Sequence, residues 1–201
     1  MKRSYYSGTY NEFMKLEDHE IVGIMVDNDP GFDRKSTQED SWFEQIRILK
    51  EQFKDCEIDR FLFEYTIPRM GKRVDNILFY KGIIYVVEFK VDSDRYNSAD
   101  INQAEQYALD LKNFQEGSID RIIIPILVAT KAPDESNNVV LDESVAEPLH
   151  ANAKNLRKVL LESAKQFSEK PINPAEWEES GFQPTPSTID AASALYEGHS
   201  V

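Results

Sequence analysis

Residues 71–90 read Gly-Lys-Arg-Val-Asp-Asn-Ile-Leu-Phe-Tyr-Lys-Gly-Ile-Ile-Tyr-Val-Val-Glu-Phe-Lys. Two aromatic and β-branched runs flank Lys81-Gly82, a dipeptide suited to a tight turn. The stretch predicts a hairpin with strands over 74–80 and 83–91. Ile83-Ile84-Tyr85-Val86-Val87 is apolar at every position, so the second strand is expected inside the sheet, covered on both faces. Side chains alternate along a strand, so Glu88 and Lys90 project to one face, about 6.6 Å apart, and Phe89 to the other. Asp75 starts the partner strand, near the position that faces Glu88 across the hairpin.

Before the hairpin, Phe61-Leu62-Phe63-Glu64-Tyr65-Thr66-Ile67 predicts another strand, ended by Pro68. Trp42, Phe43, Ile46, Leu49 and Phe53 recur at helical spacing and predict a helix over 37–54. Ser36 as N-cap and Glu39 would form its capping box. After the hairpin, Ile101, Ala104, Tyr107, Ala108 and Leu111 predict a helix over 100–114, with Gly117 just beyond it. Residues 121–130 predict a buried strand in which Pro125 implies a bulge or an edge position. A third helix is expected over 151–167. Residues 1–35, with Tyr5, Tyr6, Tyr10 and Phe13, read as a capping segment. From Pro171 onward four prolines interrupt a stretch of little periodicity, which reads as a linker or loosely packed arm, with another helix opening over 187–196. The expected fold is α/β, a central mixed sheet with helices on both faces. Residues 1–170 form the domain around a core of 37–130, and 171–201 lead away from it.

Composition narrows the function classes. The chain has 201 residues, no apolar run of the roughly 20 residues a membrane helix needs, and basic residues at the start without an apolar stretch behind them. One cysteine, Cys56, forms no internal disulfide, and three scattered histidines argue against structural zinc. A reducing, cytoplasmic setting is expected. The net charge is −13, of which −7 falls from Asp134 onward. This balance argues against tight nonspecific binding to phosphate backbones but is compatible with a local basic strip. Arg69, Lys72 and Arg73, just before Asp75, are such a strip; they read equally as a solvated turn.

Two converging carboxylates suit a hard divalent cation, Mg²⁺ or Mn²⁺, with the Phe89 carbonyl as a further ligand. Such a cation activates water and neutralises charge on a phosphate, and Lys90 beside it would stabilise the transition state. A plain cross-strand salt bridge is the bland alternative. Gly71-x-x-x-Asp75, then Glu88-x-Lys90, then Gln103-x-x-x-Tyr107 resembles the PD-(D/E)XK nuclease superfamily, in particular its RecB-like branch, over residues 37–130. The resemblance implies a restriction-endonuclease-like core and hydrolysis of nucleic acid, with DNA the expected partner. It implies Asp75 and Glu88 as metal ligands and Lys90 as the catalytic lysine. Glu44 on the first helix would complete the site, ahead of Glu39. Gln103 and Tyr107 would contact DNA or position the lysine, although Tyr107 also suits a core aromatic. Val74-Asp75 stands where the family name has Pro-Asp. The chain further resembles the front domain of bacterial Schlafen-like superfamily 1 helicase proteins, so a helicase domain in cis is expected. The alternative is a nuclease-fold module that binds nucleic acid or regulates such a helicase without cutting.

Overall fold

A computed structural model describes residues 2–31, 36–68 and 70–182. The Ser36 side chain with its capping box, the Arg69 contact and the helix expected over 187–196 lie outside what is described.

The elements run β1 (Tyr6–Thr9), α1 (Tyr10–Lys15), α2 (Asp18–Asn28), α3 (Ser36–Phe53), β2 (Arg60–Ile67), β3 (Lys72–Tyr80), β4 (Ile83–Lys90), α4 (Ser98–Phe114), β5 (Ile123–Ala129), β6 (Leu141–Asp142), β7 (Val145–Ala146), β8 (Leu149–Ala151), α5 (Leu156–Ala164) and α6 (Pro174–Glu179). The sheet order is β1-β2-β3-β4-β5-β7-β6, with β8 also on β5. The first four strands are antiparallel neighbours, whereas β5 joins β4 in parallel. This is the expected α/β architecture with a mixed sheet. No helix among the described residues is long and apolar enough to cross a membrane.

The hairpin forms as its sequence requires. Tyr80 pairs with Ile83, and Lys81 and Gly82 both take positive φ, 50° and 78°. That combination matches the right-handed twist of two strands joined by a two-residue turn. Gly82 has a second reason to lack a side chain, because a Cβ there would sit 2.3 Å from the Lys170 carbonyl oxygen.

Two apolar layers sandwich the sheet. Phe61, Phe63, Leu78, Tyr85, Val87 and Phe89 pack with α1, α2, α3 and α5. Leu62, Ile77, Phe79, Ile84 and Val86 pack with α4 and α6. Phe89 thus faces away from Glu88 and Lys90, as alternation demands.

Pro125 lies inside the sheet, opposite Val86, and not at an edge. The Ile123 N–H donates outward to the Ser144 carbonyl, so by alternation Pro125 also faces outward. There the partner strand changes, from β7 at Ile123 to β8 at Ile126–Val128. A missing N–H is harmless in that gap.

Two expectations are corrected. Helix α5 starts at Leu156, not 151, because Leu149–Ala151 pairs with β5 and Asn152 and Asn155 turn the chain. Residues 171–182 are not a loose arm. Trp177 is 2% exposed, packs tilted against Tyr65 and edge to face against Phe79, and donates its indole N–H to Ser118 Oγ at 2.8 Å. The Arg3 guanidinium donates to the carbonyls of Glu178 and Ser180. Burial of one tryptophan outweighs the lack of periodicity around it. Trp177→Ala should cost about 3–5 kcal/mol in chemical denaturation, and a loss under about 1 kcal/mol would mean that the segment is not part of the fold.

Candidate active site

The site begins where β2 and β3 break their alternation together. Phe61 and Phe63 belong to the first apolar layer, yet Tyr65 and Ile67 belong to the second. In β3, Ile77 and Val74 share the second layer although they are an odd number of positions, three, apart. The register is the same on both sides, Phe63 with Asn76 and Tyr65 with Val74, so no residue is inserted. The reset falls on Glu64, whose φ of 50° is unusual for a strand residue, and on Asp75 opposite it. The β3–β4 ladder also ends here, at Asn76 with Val87. In place of the next rung, the Phe89 N–H donates to Asp75 Oδ2 at 2.9 Å.

This break opens a recess of about 550 Å³. Its walls come from both layers. Helix α3 contributes Trp42 and Gln45, helix α4 contributes Gln103 and Tyr107, and Asp75, Glu88 and Lys90 lie between them. The expected hairpin trio therefore does share one site, and the Gln103-x-x-x-Tyr107 face reaches it.

Lys90 is the hub. Its Nζ lies 2.9 Å from Gln103 Oε1, 3.4 Å from Glu88 Oε1 and 3.4 Å from Asp100 Oδ1. Gln103 in turn donates from Nε2 to the Tyr107 hydroxyl at 2.8 Å. Tyr107 also packs in the second apolar layer, as a core aromatic would. Burial depresses the Lys90 ammonium, but Glu88, Asp100 and Asp75 outweigh burial and hold it above its ordinary value.

The carboxylates move the other way. Glu88 is 3% exposed, and burial first, then the Asp75 charge, raises its pKa well above the carboxylate range. Asp75 is raised by burial and by Glu64. Glu64 is raised by burial, although Trp42 and Arg73 oppose that shift. Glu88 Oε2 is buried with no hydrogen-bond partner. An orphaned carboxylate oxygen beside a second carboxylate is a donor set that fits a hard divalent cation. The Phe89 carbonyl suits this set, since the N–H and C=O of one strand residue point to the same side. Among the described residues no group of three or more His, Cys, Asp or Glu is arranged to hold a metal ion. Two carboxylates, a carbonyl and water are nevertheless a common magnesium environment.

Glu44 does not join them. Arg47 clasps it with Nη2 at 2.6 Å and Nε at 3.0 Å, which keeps its carboxyl below the usual range, and it does not line the recess. Glu39 does not line it either. The acid on the α3 side of the recess is instead Glu64, from β2. Trp42, one turn along α3, donates its indole N–H to Glu64 Oε1 at 2.7 Å. Gln45 is 2% exposed and its Oε1 is unpartnered. Of the basic strip, Lys72 Nζ is tied to Asp110 at 2.7 Å and Arg73 Nε to Glu64 at 2.5 Å. Glu64, Gln45 and Asp100 carried no motif; the only signal was Glu64 interrupting an apolar strand.

No protein-family model matches the chain, and no curated protein or solved structure is significantly similar to it.

A raised carboxyl pKa has a sign that stability measurements can read. When pH exceeds the unfolded value, the unfolded chain ionises first and the folded state loses ground until pH reaches the folded value. The metal-free protein should melt lower near neutrality than in mildly acidic buffer. Glu88→Gln should raise neutral stability by about 1–3 kcal/mol and flatten this dependence. A variant less stable than wild type at neutral pH would show that Glu88 is structurally satisfied.

Proposed function

We propose that this chain is a metal-dependent phosphodiesterase acting on nucleic acid, DNA in the first instance, on a restriction-endonuclease-like core. The observation that carries the reading is the meeting of Asp75, Glu88 and Lys90 at the break between β3 and β4, with Glu88 Oε2 buried and unpartnered. Asp75, Glu88 and the Phe89 carbonyl would hold Mg²⁺ or Mn²⁺. The ion when bound would supply Lewis acidity and charge neutralisation at the phosphate.

The chain's own groups account for the remainder. Lys90 keeps its proton, because three carboxylates raise its pKa. It therefore acts as a fixed cation beside the attacked phosphate, stabilising developing negative charge and orienting the attacking water. Gln103 accepts from Lys90 and Tyr107 accepts from Gln103, so this chain fixes where the ammonium sits. A positioned charge lowers a barrier only if it need not reorganise during reaction. Arg73 and Lys72 add positive charge to the recess lining, and Arg69 belongs to the same strip in sequence. An attached helicase domain would deliver strand to a site whose chain is acidic overall.

A second reading, a binding module that does not cut, is favoured by one observation: no third acid completes a metal cage among the described residues. Calorimetry with Mn²⁺ separates the two. A cutting site should bind the ion, and Asp75→Asn should abolish binding. Glu88→Ala should remain folded and lose metal-dependent cleavage of a labelled DNA. Lys90→Ala should keep Mn²⁺ affinity and lose about 10²–10³ in kcat. Undiminished cleavage by Glu88→Ala would sink the mechanism. Glu44→Ala should leave both metal binding and cleavage unchanged, since Arg47 holds that carboxylate away from the recess.

A further inference from the structure

Four side chains close a ring beside the recess, which three of them, Trp42, Glu64 and Arg73, line. Trp42 Nε1 donates to Glu64 Oε1 at 2.7 Å. Glu64 Oε2 meets Arg73 Nε at 2.5 Å. Arg73 Nη1 donates to the Tyr5 hydroxyl, and the guanidinium lies 5.0 Å from the centre of the Tyr5 ring. Tyr5 meets Trp42 edge to face, with ring centres 6.1 Å apart. Tyr5 also donates to Asp29 at 3.0 Å, which ties the ring to the end of α2.

The two ends of the ring differ in exposure. The Glu64 side chain is 8% exposed and each of its oxygens already has a partner, unlike Glu88 Oε2. The Arg73 side chain is 40% exposed, lines the recess, and has no partner for Nη2 among the described residues. A guanidinium fixed on Nε and Nη1 holds its remaining N–H groups, both of those on Nη2 among them, in fixed directions. This arrangement suits a tetrahedral oxyanion, and a fixed fork loses less entropy on binding than a free one.

From this geometry we infer that Glu64 is a positioning residue. It does not ligate metal but holds Arg73, with Trp42 and Tyr5, so that the guanidinium grips a phosphate of the strand entering the recess. The inference rests on the nucleic-acid reading of the site but not on cleavage. It also accounts for a charged residue of positive φ in the middle of a strand. The reset at Glu64 turns its carboxylate to Trp42 on the α3 side while β4 presents Lys90 to α4 on the other.

The test is fluorescence anisotropy with a short single-stranded oligodeoxynucleotide in Ca²⁺, together with Mn²⁺ calorimetry, on the whole chain. Net charge alone predicts that Glu64→Gln, which removes an acid, binds a polyanion more tightly. Positioning predicts the opposite. Glu64→Gln should weaken binding about tenfold, with Mn²⁺ affinity unchanged. Arg73→Gln, at an exposed position, should weaken binding by a similar factor. It should also flatten the slope of log affinity against log salt by about 0.7, one phosphate contact on a single strand. The double variant should be no weaker than Arg73→Gln, because the two residues act as one unit. Tighter or equal binding by Glu64→Gln, additive losses, or an unchanged salt slope in Arg73→Gln would each overturn the assignment. So would loss of Mn²⁺ binding in Glu64→Gln, which would make Glu64 a ligand, and so would absence of oligonucleotide binding by wild type. Wild type that binds but does not cut would remove the hydrolase reading and leave this one standing.

Discussion

Glu64, Asp75 and Glu88 lie in three adjacent strands at a level where the sheet would normally be apolar on both sides. Like charges in a low-dielectric setting raise one another's pKa and destabilise the fold unless something offsets them. The surrounding structure is a set of partial offsets. Lys90 is shared between Glu88 and Asp100, Arg73 answers Glu64, and the Phe89 N–H answers Asp75. None reaches Glu88 Oε2. On the proposed reading, the incompletely satisfied carboxylate at the centre of the sheet is where a cation that the fold itself does not provide would sit.

The placement follows from how the layers meet. Had β2 and β3 kept their alternation, Glu64 and Asp75 would both fall on the α4 side with Glu88 and Lys90. The reset gives the recess one wall from each layer, with Trp42 reaching Glu64 from α3 and Gln103 reaching Lys90 from α4. The acids are thus held from two sides by elements that cannot shift without disturbing an apolar layer. Such support is what a site needs if its charges are to stay fixed while a substrate reacts. Helix α6 contributes at a distance. Trp177 packs against Tyr65, the first residue beyond the reset, and Gln115 bonds both the Tyr65 hydroxyl and the Trp177 carbonyl.

The hairpin was legible because its information is local. A two-residue turn fixes register, and register with alternation fixes that Glu88 and Lys90 share a face opposite Phe89. The Gln103–Tyr107 pair was legible because i and i+4 on a helix are neighbours. Glu64 was not legible, since a one-residue reset leaves the pattern Phe-Leu-Phe-Glu-Tyr-Thr-Ile looking like an ordinary strand. Glu44 was misplaced for a similar reason. Helical spacing says which residues face the sheet, but not that Arg47, three positions on, would take the carboxylate along the helix surface. Trp177 stands in a proline-rich stretch whose lack of period hides its burial, because one large aromatic can anchor a segment that has no repeating face.

Electrostatics constrain how the proposed site would meet its substrate. The chain carries −13, and the two described cations of the basic strip are each already paired, Lys72 with Asp110 and Arg73 with Glu64. A polyanion approaching this surface gains little from long-range attraction, which separates this domain from proteins that scan duplexes by charge alone. Affinity must then come from short-range terms: the exposed part of the Arg73 fork, the Lys90 ammonium, and the cation that Asp75 and Glu88 suit. All three lie within the recess, so recognition and the proposed chemistry would be confined to one or two phosphates. A site of that size discriminates weakly among sequences, and on the proposed reading the choice of strand falls to whatever brings it there.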